Sequence, residues 1–72
     1  MEKGEKEFKL ESDFIELDNL LKAMNLVASG PEAKRVIREG LVYVNTLSEK
    51  RVRRKLRRLD SVGFKNLLIK IV

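Results

Sequence analysis

A chain of 72 residues can bury one small core and little else, because domains of this size hide only about 60% of the surface that the unfolded chain exposes. It contains no Cys and no His, so we expect no disulfide, no metal site and no cofactor. No apolar run approaches the roughly 20 residues of a membrane span, and the charged start of the chain lacks the apolar stretch of a signal peptide. These features predict a cytoplasmic, single-domain protein without a membrane partner.

The net charge of +5 is unevenly distributed along the chain. Residues 1–33 carry eight acidic side chains against four Lys, whereas residues 34–72 carry twelve Lys or Arg against three acids. A basic half of this density attracts polyanions and releases counterions on contact. Nucleic acid is therefore the leading partner, an acidic membrane surface the second, and a merely solvated charged surface the simpler alternative.

The first third of the chain predicts a tail, a strand and a helix. Residues 1–7 are too polar to pack, so we expect a flexible charged tail followed by one domain over residues 8–72. The alternation over residues 8–10 is typical of a short strand. An amphipathic helix should follow, because its apolar residues have the spacing i, i+3, i+4, i+7: Leu17, Leu20, Leu21 and Met24. Its outer face should carry Asp18, Asn19 and Lys22.

End signals predict a second helix over about residues 30–39. Ser29 and Glu32 have the spacing of a capping box, in which the Ser29 hydroxyl accepts from the Glu32 amide and the Glu32 carboxylate reaches back to the Ser29 amide. Pro31 is tolerated in the first turn, and Gly40 suits the left-handed residue that ends a helix. The helix should bury Ala33, Val36 and Ile37 and expose Lys34, Arg35 and Arg38.

The second half of the chain predicts strands around one ambiguous segment. Residues 41–45 alternate as a strand with Val42 and Val44 inward and Tyr43 outward, and Asn45 opens a turn. Residues 49–59 fit either a helical stripe or extended segments, and pattern alone does not decide between them. Two strands over residues 61–64 and 67–72, joined by a turn at 65–66, complete the chain.

A family resemblance extends over most of the chain. It is carried by residues 15–22, 27–34, 36–45 and 54–57 and by Asp60. They follow the order helix, Ser-x-x-x-Ala-(Lys/Arg), x-Ile-x-x-Gly-x-Val-x-Val-Asn. In this they resemble the RNA-binding domain named after ribosomal small-subunit protein S-four, also called the alpha-L motif, from about Ile15 to Val72. The Ser-Gly-x-x-Ala-Lys form and the short chain resemble the free-standing bacterial members (YbcJ-like and YaaA-like) more than the copies appended to larger enzymes.

The resemblance implies an α+β fold with two packed helices followed by a small, bent antiparallel sheet. It implies RNA binding through the second helix and the basic hairpin after it, and it favours the extended form of residues 50–58. Three positions depart from the family pattern. Gly30 stands where many members have Arg, although a glycine lets a phosphate approach the backbone N–H groups of a helix N-terminus. The usual Asn-Gly turn reads Asn45-Thr46, and Leu59 replaces the usual Gly before the late Asp, so the geometry of both turns stays open.

The side chains do not indicate catalysis. Asp13, Glu16 and Asp18 form a carboxylate cluster, but balancing charge at a helix N-terminus explains them better than acid–base chemistry. Ser29 has no base to activate it and is expected to act as a cap. Tyr43 could stack on a base or pack across the sheet, and the Phe residues are expected in the core.

We therefore expect a monomeric RNA-binding protein that is not an enzyme and has no small-molecule substrate. It should dock a basic helix and a basic hairpin on the phosphates of structured RNA, such as ribosomal RNA or a tRNA-like fold. A basic protein-interaction module and a sequence-tolerant DNA-binding domain remain alternatives. The residues expected to contact RNA are Ser29, Gly30, Lys34, Arg35, Arg38, Lys50, Arg51, Arg53, Arg54, Lys55 and Arg57. Arg58 belongs to the same basic cluster.

Overall fold

The computed structural model describes residues 4–72, and over these residues the chain forms two helices and seven short strands. In chain order these are β1 (Gly4–Phe8), β2 (Ile15–Glu16), α1 (Leu17–Ala23), α2 (Gly30–Arg38), β3 (Val42–Val44), β4 (Leu47–Ser48), β5 (Lys55–Leu56), β6 (Ser61–Phe64) and β7 (Leu67–Ile71). The α+β class is therefore confirmed for the described part of the chain. Within that part, neither helix has the length and apolar character needed to cross a membrane.

Helix α1 buries the predicted leucines and ends at an asparagine. Leu17, Leu20 and Leu21 are fully buried, as the helical spacing indicates. Asn25 adopts a positive φ of 58°, and the amide of Leu26 donates to the carbonyl of Leu21, which satisfies two requirements of a helix C-terminus. Asp18, expected on the outer face, is instead half-buried, and its Oδ1 atom has no hydrogen-bond partner among the described residues.

Helix α2 follows the predicted end signals, with one difference at its start. The Ser29 hydroxyl accepts from the Glu32 amide at 3.3 Å, but the Glu32 carboxylate accepts from the amide of Ala28 at 2.7 Å instead of from that of Ser29. At the other end, Gly40 has a φ of +78° and donates to the carbonyl of Ile37. The helix thus has the caps that its sequence predicts, and its inward face is buried at Ala33, Val36 and Ile37.

The main sheet has the strand order β1-β7-β6-β3-β4 and is mixed, where a purely antiparallel sheet was expected. Strand β1 pairs parallel with β7 from Gly4 opposite Leu67 to Phe8 opposite Ile71, and the other neighbours are antiparallel. The prediction of a flexible tail is therefore wrong for residues 4–7, and residues 1–3 lie outside the described residues. The tail was predicted because these side chains are polar, but an edge strand is held by backbone hydrogen bonds and can keep polar side chains in water.

Two tight turns connect the antiparallel strands. Val44 pairs with Leu47 across Asn45 and Thr46, whose φ values of 51° and 73° are those of a type I′ turn. The turn between β6 and β7 has Lys65 at a φ of 56°. The predicted strands at residues 41–45, 61–64 and 67–72 are thus confirmed, apart from one or two residues at their ends.

Both helices and one face of the sheet enclose the core. Val42, Val44, Val62 and Phe64 point from the sheet towards the helices, whereas Tyr43 points away from them. The buried apolar residues are Leu10, Leu17, Leu20, Leu21, Val27, Ala33, Val36, Ile37, Val42, Val44, Leu56, Val62, Phe64, Ile69 and Ile71.

Candidate nucleic-acid interface

Residues 49–60, the segment between β4 and β6, are hydrogen-bonded to the start of α1. We call this segment the basic loop. The amides of Leu17 and Asp18 donate to the carbonyls of Arg54 and Val52 at 2.9 and 3.1 Å. These contacts satisfy two of the N–H groups that a helix N-terminus leaves without an intrahelical partner, and the Glu16 side chain makes no capping bond there. The basic loop therefore serves as the cap of α1, which fixes its backbone.

Strand β5, within the basic loop, pairs with β2 and forms a separate two-stranded sheet. Leu56 lies opposite Ile15, and Lys55 lies opposite Glu16. Residues 50–58 form no helix, but only Lys55–Leu56 is a strand, with turns at 52–53 and 58–59, so the extended form is confirmed there alone. The expected basic hairpin is not formed, because β5 pairs with β2, some 40 residues earlier in the chain. Leu56 is fully buried in the core, although the residues on both sides of it are charged and exposed.

Cationic side chains line an open depression on the outer side of the basic loop. Its volume is about 530 Å³. The lining residues are Arg51, Arg53, Arg54, Lys55 and Arg57, all of them predicted RNA contacts. Cations that line one depression repel each other, so their backbone has to be held in place by other bonds. The hydrogen bonds with α1 and the pairing with β2 provide these. The depression has the charge and the open shape that a phosphate backbone requires.

A buried acid, Glu49, organises two of these arginines. Its carboxylate accepts from Arg51 Nε and Nη2 at 2.9 and 3.0 Å and from Arg54 Nη1 at 2.7 Å. Glu49 is only 8% exposed. The hydrogen bonds from Arg51 outweigh the opposing effect of burial and, with the one from Arg54, lower the pKa of Glu49 to about 2. The carboxylate is therefore ionised and orients both guanidinium groups at neutral pH.

The far end of the basic loop is closed by Asp60. Its Oδ2 atom accepts from the Arg57 amide at 2.8 Å, and its Oδ1 atom accepts from Asn45 Nδ2 at 3.0 Å. Burial of Asp60 acts to raise the pKa of its carboxyl group, but these two hydrogen bonds prevail and lower it. Arg58 does not face the depression in the same way, because its Nη2 atom donates to the carbonyl of Leu10 at 2.6 Å.

Phe14 lies beside the basic loop and is not a core residue, which corrects the expectation for the Phe residues. Its side chain is 37% exposed. Lys55 Nζ lies 4.8 Å and the Arg57 guanidinium carbon 6.0 Å from the centre of its ring. These distances allow cation–π attraction, so the ring helps to hold two cations at the edge of the depression.

The outer face of α2 carries the second group of predicted contacts. Lys34, Arg35 and Arg38 are all exposed, as the helical spacing indicates. Arg35 forms an exposed salt bridge with Glu39 at 3.2 Å, an interaction that contributes little in water. The positive charge of this face therefore remains accessible to a polyanion.

The N-terminus of α2 is less open to an anion than the sequence suggests. The Glu32 carboxylate already occupies the position next to the Ala28 amide, and Ser29 accepts from the Glu32 amide. A Cβ placed on Gly30 would lie 3.9 Å from Lys22 Nζ, so a lysine of α1 approaches the start of α2. Lys22 was predicted only as an outward-facing residue.

The two basic groups meet at Gly40. A Cβ placed on this residue would lie 3.2 Å from Lys50 Cε, and the Ser48 hydroxyl donates to the Gly40 carbonyl at 3.1 Å. The end of α2 and the start of the basic loop are therefore in contact. We use the name basic surface for the exposed cations of these two segments. On α2 they are Lys34, Arg35 and Arg38, and on the basic loop they are Lys50, Arg51, Arg53, Lys55, Arg57 and Arg58.

Comparison with known proteins identifies the class. The S4 domain family matches residues 8–72, and the chain belongs to this family. S4 domains generally bind RNA and are not catalytic. No curated protein matches the chain. The assignment to the free-standing YbcJ-like and YaaA-like members stays a prediction, because the match is to the domain family as a whole.

Proposed function

We propose that this chain binds structured RNA through the basic surface, with ribosomal or tRNA-like RNA as the class of partner. The observation that carries the proposal is the open depression lined by five cations on a loop whose backbone caps α1. Arg53, Lys55 and Arg57 are outside the salt bridges found within residues 4–72, so they can neutralise phosphates without breaking an ion pair.

The proposed mechanism is electrostatic and depends on shape. Phosphate groups enter the depression of the basic loop, and a second stretch of the backbone runs along Lys34, Arg35 and Arg38 on α2. Each neutralised phosphate releases counterions, which drives association and makes it sensitive to salt. The end of α2 and the start of the basic loop are joined by the hydrogen bond from Ser48 to Gly40, so the two groups of cations should favour RNAs whose phosphates have the matching spacing. Ser29 and Gly30 contribute less to phosphate binding, because the Glu32 carboxylate competes with a phosphate at the start of α2.

The double variant Arg53→Gln/Arg57→Gln tests the basic loop directly. We expect its affinity for a folded RNA hairpin to fall about tenfold or more, because two phosphate contacts are lost. The matched control is Lys6→Gln/Lys70→Gln, which removes the same charge from β1 and β7. Equal losses in both variants would mean that only net charge matters, and the basic loop would not be the site.

Competition experiments separate RNA from the other candidate partners. A folded RNA should displace a labelled RNA hairpin at lower concentrations than duplex DNA of equal length at the same salt, because the two duplexes differ in groove shape and in the 2′-hydroxyl groups. Equal displacement by DNA would favour a sequence-tolerant DNA-binding domain. Displacement by an acidic protein at lower concentrations than by either nucleic acid would favour the protein-interaction module.

A further inference from the structure

Tyr43 occupies an open position on the sheet face that points away from the helices. Its neighbours in β3, Val42 and Val44, are buried, whereas the Tyr43 side chain is 46% exposed. Its cross-strand partners are Gly63 on β6 and Ser48 on β4. A Cβ placed on Gly63 would lie 3.7 Å from Tyr43 Cβ, so Gly63 presents no side chain next to the base of the Tyr43 side chain. Neither partner offers a large side chain that would cover the ring.

The ring separates two depressions of similar size. One, of about 330 Å³, is lined by Tyr43, Thr46, Ser61, Gly63, Lys65, Leu67 and Leu68. The other, of about 340 Å³, is lined by Glu32, Arg35, Val36, Leu41, Tyr43, Phe64 and Lys65. Lys65 contributes to both, and Arg35 belongs to the basic face of α2. Tyr43 thus borders two depressions whose linings combine apolar side chains with the cations Lys65 and Arg35.

We propose that Tyr43 is a stacking platform for one unpaired base of the bound RNA, with Arg35 and Lys65 neutralising the phosphates on either side. This inference rests on the proposed function and adds a contact to a base. An exposed aromatic ring bordered by cations is complementary to a nucleotide, which has a flat apolar base and an anionic phosphate. Glu32, the acid among the lining residues, already accepts a hydrogen bond from Ala28.

The occupant has to be an unpaired nucleotide. Bases inside a duplex have their faces covered by their neighbours, so only a loop, a bulge or a single-stranded end can place one against the ring. Base pairs beside it would hold their phosphates against α2, whose cations lie at the border of the same depression. We therefore expect the domain to prefer a junction between paired and unpaired RNA.

The test compares two RNAs and two variants. The probes are a blunt RNA hairpin whose strands are joined by a non-nucleotide linker, so that it has no unpaired base, and the same hairpin with a single-stranded extension of three adenosines. Tyr43→Leu should weaken binding of the extended hairpin roughly 5- to 150-fold, the range that alanine substitution of a stacking aromatic gives for one base. Tyr43→Phe should retain the parent affinity within about twofold, because it keeps the ring that stacks.

A second measurement does not depend on the fold of the variants. The chain has one Tyr and no Trp, so tyrosine fluorescence of the parent reports on Tyr43 alone. Stacking should quench this fluorescence when the extended hairpin binds, after correction for absorption by the RNA, and the blunt hairpin should quench it less.

The possible outcomes separate the two proposals. If the parent binds neither hairpin, the proposed function itself fails. If the parent binds both hairpins equally and without quenching, or if folded Tyr43→Leu binds the extended hairpin as the parent does, the stacking site is overturned and phosphate binding stands. Should Tyr43→Leu fail to fold, quenching in the parent and the affinity of Tyr43→Phe decide.

Discussion

Glu49 holds two of the arginines that line the depression, and the carboxylate is itself almost buried. Glu49→Gln keeps the shape of the side chain but removes the charge, so both guanidinium groups lose an ionic partner. We expect the free energy of unfolding to fall by about 1 to 2 kcal/mol, at the lower end for charged hydrogen bonds because Arg51 is largely exposed. Chemical denaturation at pH 7 measures the difference, and an unchanged free energy would contradict it.

The lowered pKa of Glu49 also predicts a pH dependence. The pKa is about 2 in the folded protein against an ordinary value of 4.5, so the unfolded chain takes up the proton first as the pH falls. The stabilisation by Glu49 is therefore complete above about pH 4.5 and is lost as the pH falls towards 2. Thermal unfolding of the parent and of Glu49→Gln between pH 2 and 7 should converge at the acid end; parallel curves would argue against the carboxylate.

Two turn positions with similar backbone angles carry different residues, which gives a reciprocal prediction. Leu59 has a φ of 80° and is 95% exposed, so Leu59→Gly should raise the free energy of unfolding by up to about 1 kcal/mol. Gly40→Ala should lower it by about 1 to 2 kcal/mol, because the φ is +78° and the new Cβ would crowd Ser48 and Lys50. Urea denaturation compares both with the parent, and destabilisation by Leu59→Gly would refute the account of this turn.

The residue types predicted the helix caps and the basic segments, but they did not predict contacts between side chains that are distant in the sequence. The amphipathic pattern of α2 and the residues Ser29 and Gly40 defined that helix from the sequence. The contact of Phe14 with Lys55 and Arg57 joins segments some 40 residues apart, and no local spacing indicates it. The ring was assigned to the core on its apolar character alone.

Strand β1 is the longest element that the sequence missed, beside the two-residue strands β2 and β4, and the reason is physical. Its side chains are exposed except for the partly buried Phe8, so hydrophobic periodicity carries no signal for it. It is held by pairing with β7, which is the opposite end of the chain. The basic loop was likewise ambiguous by pattern, because its conformation depends on hydrogen bonds with α1 and β2 and not on its own residues.

Deletion of residues 2–7 tests whether β1 contributes to the fold. A mobile tail could be removed without effect, whereas loss of β1 uncovers the edge of β7 and the partly buried Phe8. We expect the free energy of unfolding to fall by at least about 1 kcal/mol, since several backbone hydrogen bonds are lost. Thermal unfolding measures this, and a melting temperature equal to that of the parent would show that β1 is dispensable.

On the scale of the whole molecule, the apolar core and the exposed cations lie in separate regions. The core is enclosed by α1, α2 and the inner face of the sheet, and the cations lie on the outer side of α2 and of the basic loop. The charge asymmetry of the sequence predicted this basic half of the chain, and the family match supports RNA as the partner. The contact at Gly40 that joins the two groups of cations could not be predicted, because it depends on the packing of Lys50 against the end of α2.

The salt dependence of RNA binding tests the account most directly, measured for the parent, for Arg35→Ala/Arg38→Ala and for Val36→Ala. For the parent, the logarithm of the affinity for a folded RNA should fall linearly with the logarithm of the salt concentration, and the slope should correspond to the release of several counterions. The double Arg variant should stay folded, bind more weakly and have a slope shallower by about one unit per lost contact. Val36→Ala removes core methyl groups, so it should melt earlier but keep the parent slope. An affinity that does not depend on salt, or a double variant with the affinity and slope of the parent, would contradict RNA binding through the basic surface.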